Sequence, residues 1–160
     1  MWYIRAYFII KIITCVIFWY RNCIEQYDKR LRLHFNKIRM KRILAVDDNK
    51  DILNVLRYIL EDSGYEVDTL SDGHFLFEKI KQHTPDLILL DIMLGDMDGR
   101  VLCKDVKTTE ATHSIPVILI SANHNIADVL KQCGAPDDFV EKPFDMYTLL
   151  NSIERQLAAA

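Results

Sequence analysis

Four places in this sequence could do chemistry together: the acidic pair Asp47-Asp48, then Asp91, Ser121 and Lys142. Each closes a short apolar run: KRILAV at 41–46, DLILL at 86–90, PVILI at 116–120 and DFVE at 138–141. Taken singly, each has a plain structural explanation. Asp48, Asn49 or Ser121 can cap a helix, Asp91 can cap a turn, and Lys142 can be a solvated charge. Taken together, they bring three carboxylates, a hydroxyl and an ammonium to strand ends. Clustered carboxylates repel one another unless a cation sits among them. Hard oxygen donors with room for water suit Mg²⁺, which favours phosphate-bearing partners. A carboxylate beside a metal, a hydroxyl and a lysine is equipped to accept a phosphoryl group.

The elements that must position these groups alternate between two periods. Ile52, Val55, Leu56, Ile59 and Leu60 recur at helical spacing, with Asp51 in the first turn and Gly64 as the stop. The stripe Val55/Leu56/Ile59/Leu60 reads as core packing. YEVDTL (65–70) alternates like an edge strand, and a helix from about Asp72 to Gln82 follows. DLILLD (86–91) and PVILIS (116–121) are apolar enough for central strands covered on both faces. Further helices are expected over Gly99–Lys107 and Ile126–Cys133, and Asp145 caps a last one reaching Gln156. Five strands alternating with five helices predict an α/β fold, a doubly wound parallel sheet with right-handed crossovers. Ligands of such sheets bind beyond the carboxyl ends of the strands. That is where the five residues converge.

Four strings carry a resemblance: LAVDDN, LLDIMLGDMDG, ISA at 120–122 and GAPDDFVEKPF at 134–144. In that order, with thirty positions from Asp91 to Ser121 and twenty-one more to Lys142, residues 40–157 resemble the receiver domain of two-component response regulators. The likeness is to single-domain, chemotaxis-regulator-like members. It implies a flavodoxin-like sheet of order 2-1-3-4-5. It implies that Asp91 is the phosphoacceptor in a His-to-Asp phosphorelay, with phosphate coming from a sensor histidine kinase or a phosphotransfer protein. Asp47, Asp48, Asp91 and the backbone carbonyl of Met93 would hold Mg²⁺, Asp47 through water. Lys142 would pair with the acceptor and then with phosphoryl oxygens, and Ser121 would hydrogen-bond the phosphoryl group. Phe139 would be the switch aromatic, turning inward as Ser121 is drawn to the phosphate. Ala122 would leave the phosphate path open, and Pro143 would follow a cis bond. On this reading the protein is not an enzyme on external substrates. It catalyses only its own phosphorylation and dephosphorylation, and the switched surface contacts a downstream protein, with no attached output domain.

Three features depart from the family pattern. Gly95 stands where a proline is usual, so a more mobile loop is expected. Asn123-His124-Asn125 begins a compressed helix, and Phe139 lacks a tyrosine hydroxyl. Asp96-Met97-Asp98 also supplies the D-x-D of haloacid-dehalogenase-like phosphatases. That family sets its D-x-D directly after a strand and its acidic pair late in the chain, the reverse of this order. A receiver-like docking module that never takes phosphate would have lost Asp91, Lys142 or the acidic pair, and none is lost. The five histidines are scattered, and Met93 reads as a loop side chain that tunes access to the site.

Charge divides the 160 residues unevenly. Residues 1–39 hold eight Lys/Arg against two Asp/Glu (+6), and residues 40–160 hold twelve against twenty-one (−9). So acidic a domain is a poor candidate for direct nucleic-acid binding, which needs clustered Lys/Arg. The four cysteines form no CxxC pair and read as buried or idle thiols of a reducing cytoplasm. Residues 1–39 form a separate apolar and basic extension before a receiver domain at 40–160. Its stretch from Trp2 to Tyr20 is a marginal spanning segment against a need for about 20 apolar residues. Three readings stand: translated upstream sequence ahead of a start at Met40, a membrane anchor, or an interaction helix. The expected location is cytoplasmic, tethered to the inner membrane face only if residues 1–39 are an anchor.

Overall fold

The computed structural model describes residues 40–122 and 134–159, all within one compact unit spanning Met40–Ala160. The expected helix at Ile126–Cys133 and the 1–39 extension lie outside the described residues.

Strands β1 (Arg42–Val46), β2 (Glu66–Leu70), β3 (Leu87–Asp91), β4 (Val117–Ser121) and β5 (Asp138–Glu141) form one sheet of order β2-β1-β3-β4-β5. Every neighbouring pair is parallel. This is the flavodoxin-like order expected from the sequence. β3 and β4 are buried along their whole length, and β2 is an edge. Side chains alternate between sheet faces, so these apolar runs divide into two cores. Ile88, Leu90, Val117 and Leu119 pack on one face with Leu76, Ile80, Leu102 and Val106. Leu87, Leu89, Ile118 and Ile120 pack on the other with Leu53, Leu56, Leu60, Leu149 and Ile153.

Those partners sit on α1 (Lys50–Asp62), α2 (Leu76–Gln82), α3 (Gly99–Thr108) and α4 (Met146–Ala159). The helix expected from Asp72 divides in two. Asp72 caps a 3-10 turn at Gly73–Phe75, and α2 begins at Leu76. One expectation about the core fails. Val55 is 57% exposed and Ile59 only half-buried, whereas Leu53, Leu56 and Leu60 are buried. At about 100° per residue, positions 53, 56 and 60 share one side of α1, and Val55 falls on the opposite side. Asn49 caps this helix, its side chain accepting from the Asp51 and Ile52 amides.

After β3 the chain makes a small antiparallel hairpin, pairing Met93–Leu94 with Met97–Asp98 across Gly95-Asp96. Gly95 has φ +59°, and no non-glycine among the described residues has positive φ. That is the sign pattern of a type II′ turn, with glycine at its first central position. Proline, fixed near φ −65°, does not fit here. The departure from the family pattern thus has a local cause: this loop is closed as a hairpin.

Candidate functional site

Register brings the expected residues together. Val46 lies beside Leu90, Asp91 beside Ile120, and Ser121 beside Glu141. Asp47 therefore stands level with Asp91, and Ser121 and Lys142 follow within two residues along the same edge. Asp47, Asp91 and Ser121 are buried, and Asp48 is exposed. One carboxylate oxygen from each of Asp47, Asp48 and Asp91 can be chosen so that all lie within 4.8 Å of one another.

Lys142 reaches into this cluster from the segment after β5. Its Nζ donates to Asp47 Oδ2 at 2.8 Å and pairs with Asp91 Oδ1 at 3.2 Å. The Lys142 backbone is held as well, its amide donating to the Ser121 carbonyl at 2.6 Å. The Lys142–Pro143 bond is cis, as expected. Asp47 Oδ1 accepts from the Asn49 amide at 2.8 Å, which ties the acidic pair to the start of α1.

One ammonium shared by buried carboxylates leaves both partners shifted upward, for different reasons. Asp91 is raised above the usual carboxylate range, first by burial and then by the like charge of Asp47, against the pull of Lys142. For Lys142, burial alone would lower the pKa. The hydrogen bond to Asp47 and the charges of Asp91 and Asp47 outweigh it, and the net shift is upward. Two like charges 4.8 Å apart repel by about 3 to 4 kcal/mol at an effective dielectric near 20. The cluster therefore holds more negative charge than its lysine balances. An oxygen-only donor set with one exposed, adaptable carboxylate fits a small hard cation such as Mg²⁺.

Met93 lies two residues past Asp91 in the hairpin and is 74% exposed. Phe139 is half-buried on β5, beside Leu119 in register, and packs against the core face that includes Leu76 and Leu102. Ala122 is described and exposed, whereas Asn123-His124-Asn125 lies outside the described residues. Asp96-Met97-Asp98 does not form a second acidic site: Asp98 caps α3 and forms a bidentate pair with Arg100. Cys103 is a buried thiol, pushed up to about 12 mainly by burial, as an inert cysteine should be.

The reading of the sequence passed over Gly99. A Cβ there would stand 2.0 Å from the Asp91 carbonyl oxygen. A glycine opening a helix, where its propensity is poor, was the available signal.

A parallel sheet of order 2-1-3-4-5 with an acidic triad and a lysine at its carboxyl edge defines a class, and comparison gives the same class. Residues 43–154 match the response regulator receiver domain, and the chain belongs to that family. It is a receiver domain of two-component signalling, whose members take part in phosphorelays with histidine kinases or phosphotransfer proteins and bind Mg²⁺ at an acidic pocket. Among curated relatives, it is 40% identical over 106 residues to the alkaline phosphatase synthesis transcriptional regulatory protein PhoP of Bacillus subtilis (strain 168). That alignment covers 65% of this chain and 43% of PhoP, so the chain spans less than half of that regulator. Among solved structures, a putative response regulator from Chloroflexus aurantiacus J-10-fl superposes with a TM-score of 0.69 at 27% identity, covering 75% of this chain and 99% of the other. A CheY-like receiver domain protein from Methanospirillum hungatei JF-1 gives 0.68 at 30% identity, covering 75% and 95%.

Proposed function

We propose that Asp91 is the phosphoacceptor of this receiver domain and that its phosphorylation switches a protein-contact surface. The observation that carries the reading is the state of Asp91: a buried carboxylate, raised in pKa, ion-paired to Lys142 beside two further carboxylates. An Asp91 carboxylate oxygen attacks the phosphorus of a phosphohistidine. The P–O bond forms as the P–N bond breaks, and the imidazole nitrogen leaves with the electron pair and takes up a proton.

Lys142 holds Asp91 oriented before transfer, and its ammonium then faces the phosphoryl oxygens. Ser121, at the end of β4, donates its hydroxyl to one of them. Phe139 follows by repacking against the core face it already touches. Asp47, Asp48, Asp91 and the Met93 carbonyl would hold Mg²⁺, which supplies positive charge against the phosphoryl oxygens. Hydrolysis reverses the modification: water attacks phosphorus and Asp91 leaves as a carboxylate. The chain thus acts on its own side chain and not on an external substrate.

The phosphodonor is a sensor histidine kinase or a phosphotransfer protein, and the output is a contact with another protein rather than with nucleic acid. We place the domain in the cytoplasm, where such donors work. Among the described residues no helix is long and apolar enough to cross a membrane. The receiver unit is taken to begin at Met40, because both cores close with residues from Ile43 onward. A chain beginning at Met40 should be soluble and accept phosphate at the same rate as the full sequence; unfolding of the shorter chain would overturn this boundary.

Phosphotransfer profiling tests the donor class. The protein is mixed with sensor kinases already loaded from radiolabelled ATP. Rapid transfer of label from at least one kinase supports the reading, and retention of label by every kinase and phosphotransfer protein tried contradicts it.

A further inference from the structure

We propose that Gly99 is a positioning residue for Asp91: by having no side chain, it lets the first turn of α3 lie against the acceptor's own backbone. The proposal deepens the phosphoacceptor reading and rests on it. A Cβ at 99 would lie 2.0 Å from the Asp91 carbonyl oxygen, 2.9 Å from its carbonyl carbon and 3.0 Å from Ile92 Cα. All three are backbone atoms, so no flexible side-chain end can swing aside.

The approach is held from both sides. Gly99 N–H donates to the Ile92 carbonyl at 2.8 Å, and Ile92 N–H donates to the Ile120 carbonyl at 3.1 Å. The Asp91-Ile92 backbone is thus clamped between α3 and β4. Asp98 completes the clamp by accepting from the Arg100 amide at 2.9 Å, which fixes where α3 begins. A methyl group at 99 must push the Asp91 carbonyl from 2.0 Å to at least 3.4 Å to reach an ordinary contact, and the Asp91 side chain moves with it. A misplacement of about 1 Å at a reacting group can cost on the order of a hundredfold in rate.

The test compares Gly99→Ala with Gly134→Ala, whose added Cβ would stand 2.8 Å from Lys104 Cγ on the same helix. Both should lose thermal stability. Phosphorylation by acetyl phosphate is measured at saturating Mg²⁺ and donor, per folded molecule by circular dichroism. Gly99→Ala should react more than about tenfold slower than the natural chain, and Gly134→Ala within about twofold of it. A folded Gly99→Ala that reacts within twofold of the natural chain overturns the proposal, whereas a natural chain that takes no phosphate overturns the phosphoacceptor reading beneath it.

Should Gly99→Ala not fold, two cap variants decide instead. Asp98→Ala loosens the start of α3, and Asp145→Ala removes the matching cap of α4, which accepts from the Thr148 amide at 2.9 Å. The proposal requires Asp98→Ala to slow phosphorylation by about three- to tenfold while Asp145→Ala leaves it within twofold. Equal rates in the two cap variants overturn it.

Discussion

The two edges of the sheet treat carboxylates in opposite ways. At the amino edge each acid has its own partners. Asp86 pairs with Lys41 and accepts from the Arg42 amide, and Asp137 pairs with Lys107 and accepts from the Val117 amide. Asp138 is held by Ser152 and Arg155 of α4. At the carboxyl edge Lys142 bridges Asp47 and Asp91, and Asp48 adds a third charge within reach of both. The pKa directions follow. For Asp138, burial pushes upward, but the Ser152, backbone and Arg155 hydrogen bonds win and hold it below the usual range. For Asp91, burial and Asp47 win, and it is raised. Carboxylates at the amino edge fasten elements together. Those at the carboxyl edge are left under-compensated, which costs stability and, on the proposed function, prepares them for a cation and a phosphoryl group.

If that contrast holds, removing acids at the two edges has different consequences. The largest effect falls on cation binding. Asp48→Ala removes a charged oxygen donor and should weaken Mg²⁺ binding by more than about tenfold, or about 1.4 kcal/mol, by isothermal titration. Equal affinity in the variant would mean that the acidic cluster is not the Mg²⁺ site. Next, Asp138→Asn should leave Mg²⁺ affinity unchanged but lower stability by about 1 to 2 kcal/mol at neutral pH, measured by urea unfolding. Because the folded pKa of Asp138 is depressed, its contribution is complete above the unfolded carboxylate value of about 4 and fades as pH falls through the folded value. The stability gap between natural chain and variant should therefore close in acid. A gap independent of pH would argue against the ionic latch.

The smallest effect has the opposite sign. Since Asp91 is raised, its ionised form disfavours the fold, and lowering pH through its folded pKa relieves that cost. Without Mg²⁺, Asp91→Asn should raise Tm by a few degrees at neutral pH, despite the lost contact with Lys142. A lowered Tm would show that the ion pair outweighs the burial of the charge.

The sheet was legible because β3 and β4 are apolar up to their last residue, and only a doubly covered parallel strand buries both faces of such a run. The site was legible because Asp91 and Ser121 end β3 and β4, and the Asp47-Asp48 pair and Lys142 come directly after β1 and β5. Face assignment on α1 was harder. Val55 is as apolar as Leu53, and only the rotation of the helix against the sheet decides which one is buried. Gly95 was noted as a departure, but its positive φ appears only once the hairpin closes. The close approach of Gly99 to Asp91 was not legible, because it is a backbone contact with a residue eight positions earlier, which no side-chain pattern signals.

The central claim is that the under-compensated edge exists to receive phosphate on Asp91. Its most direct test is incubation of the protein with Mg²⁺ and acetyl phosphate, followed by intact-mass measurement and peptide mapping. The account predicts one added phosphate, carried by the peptide containing Asp91, dependent on Mg²⁺ and absent from Asp91→Asn. Acid-labile phosphate that persists on Asp91→Asn, or a natural chain that takes up none, would contradict it.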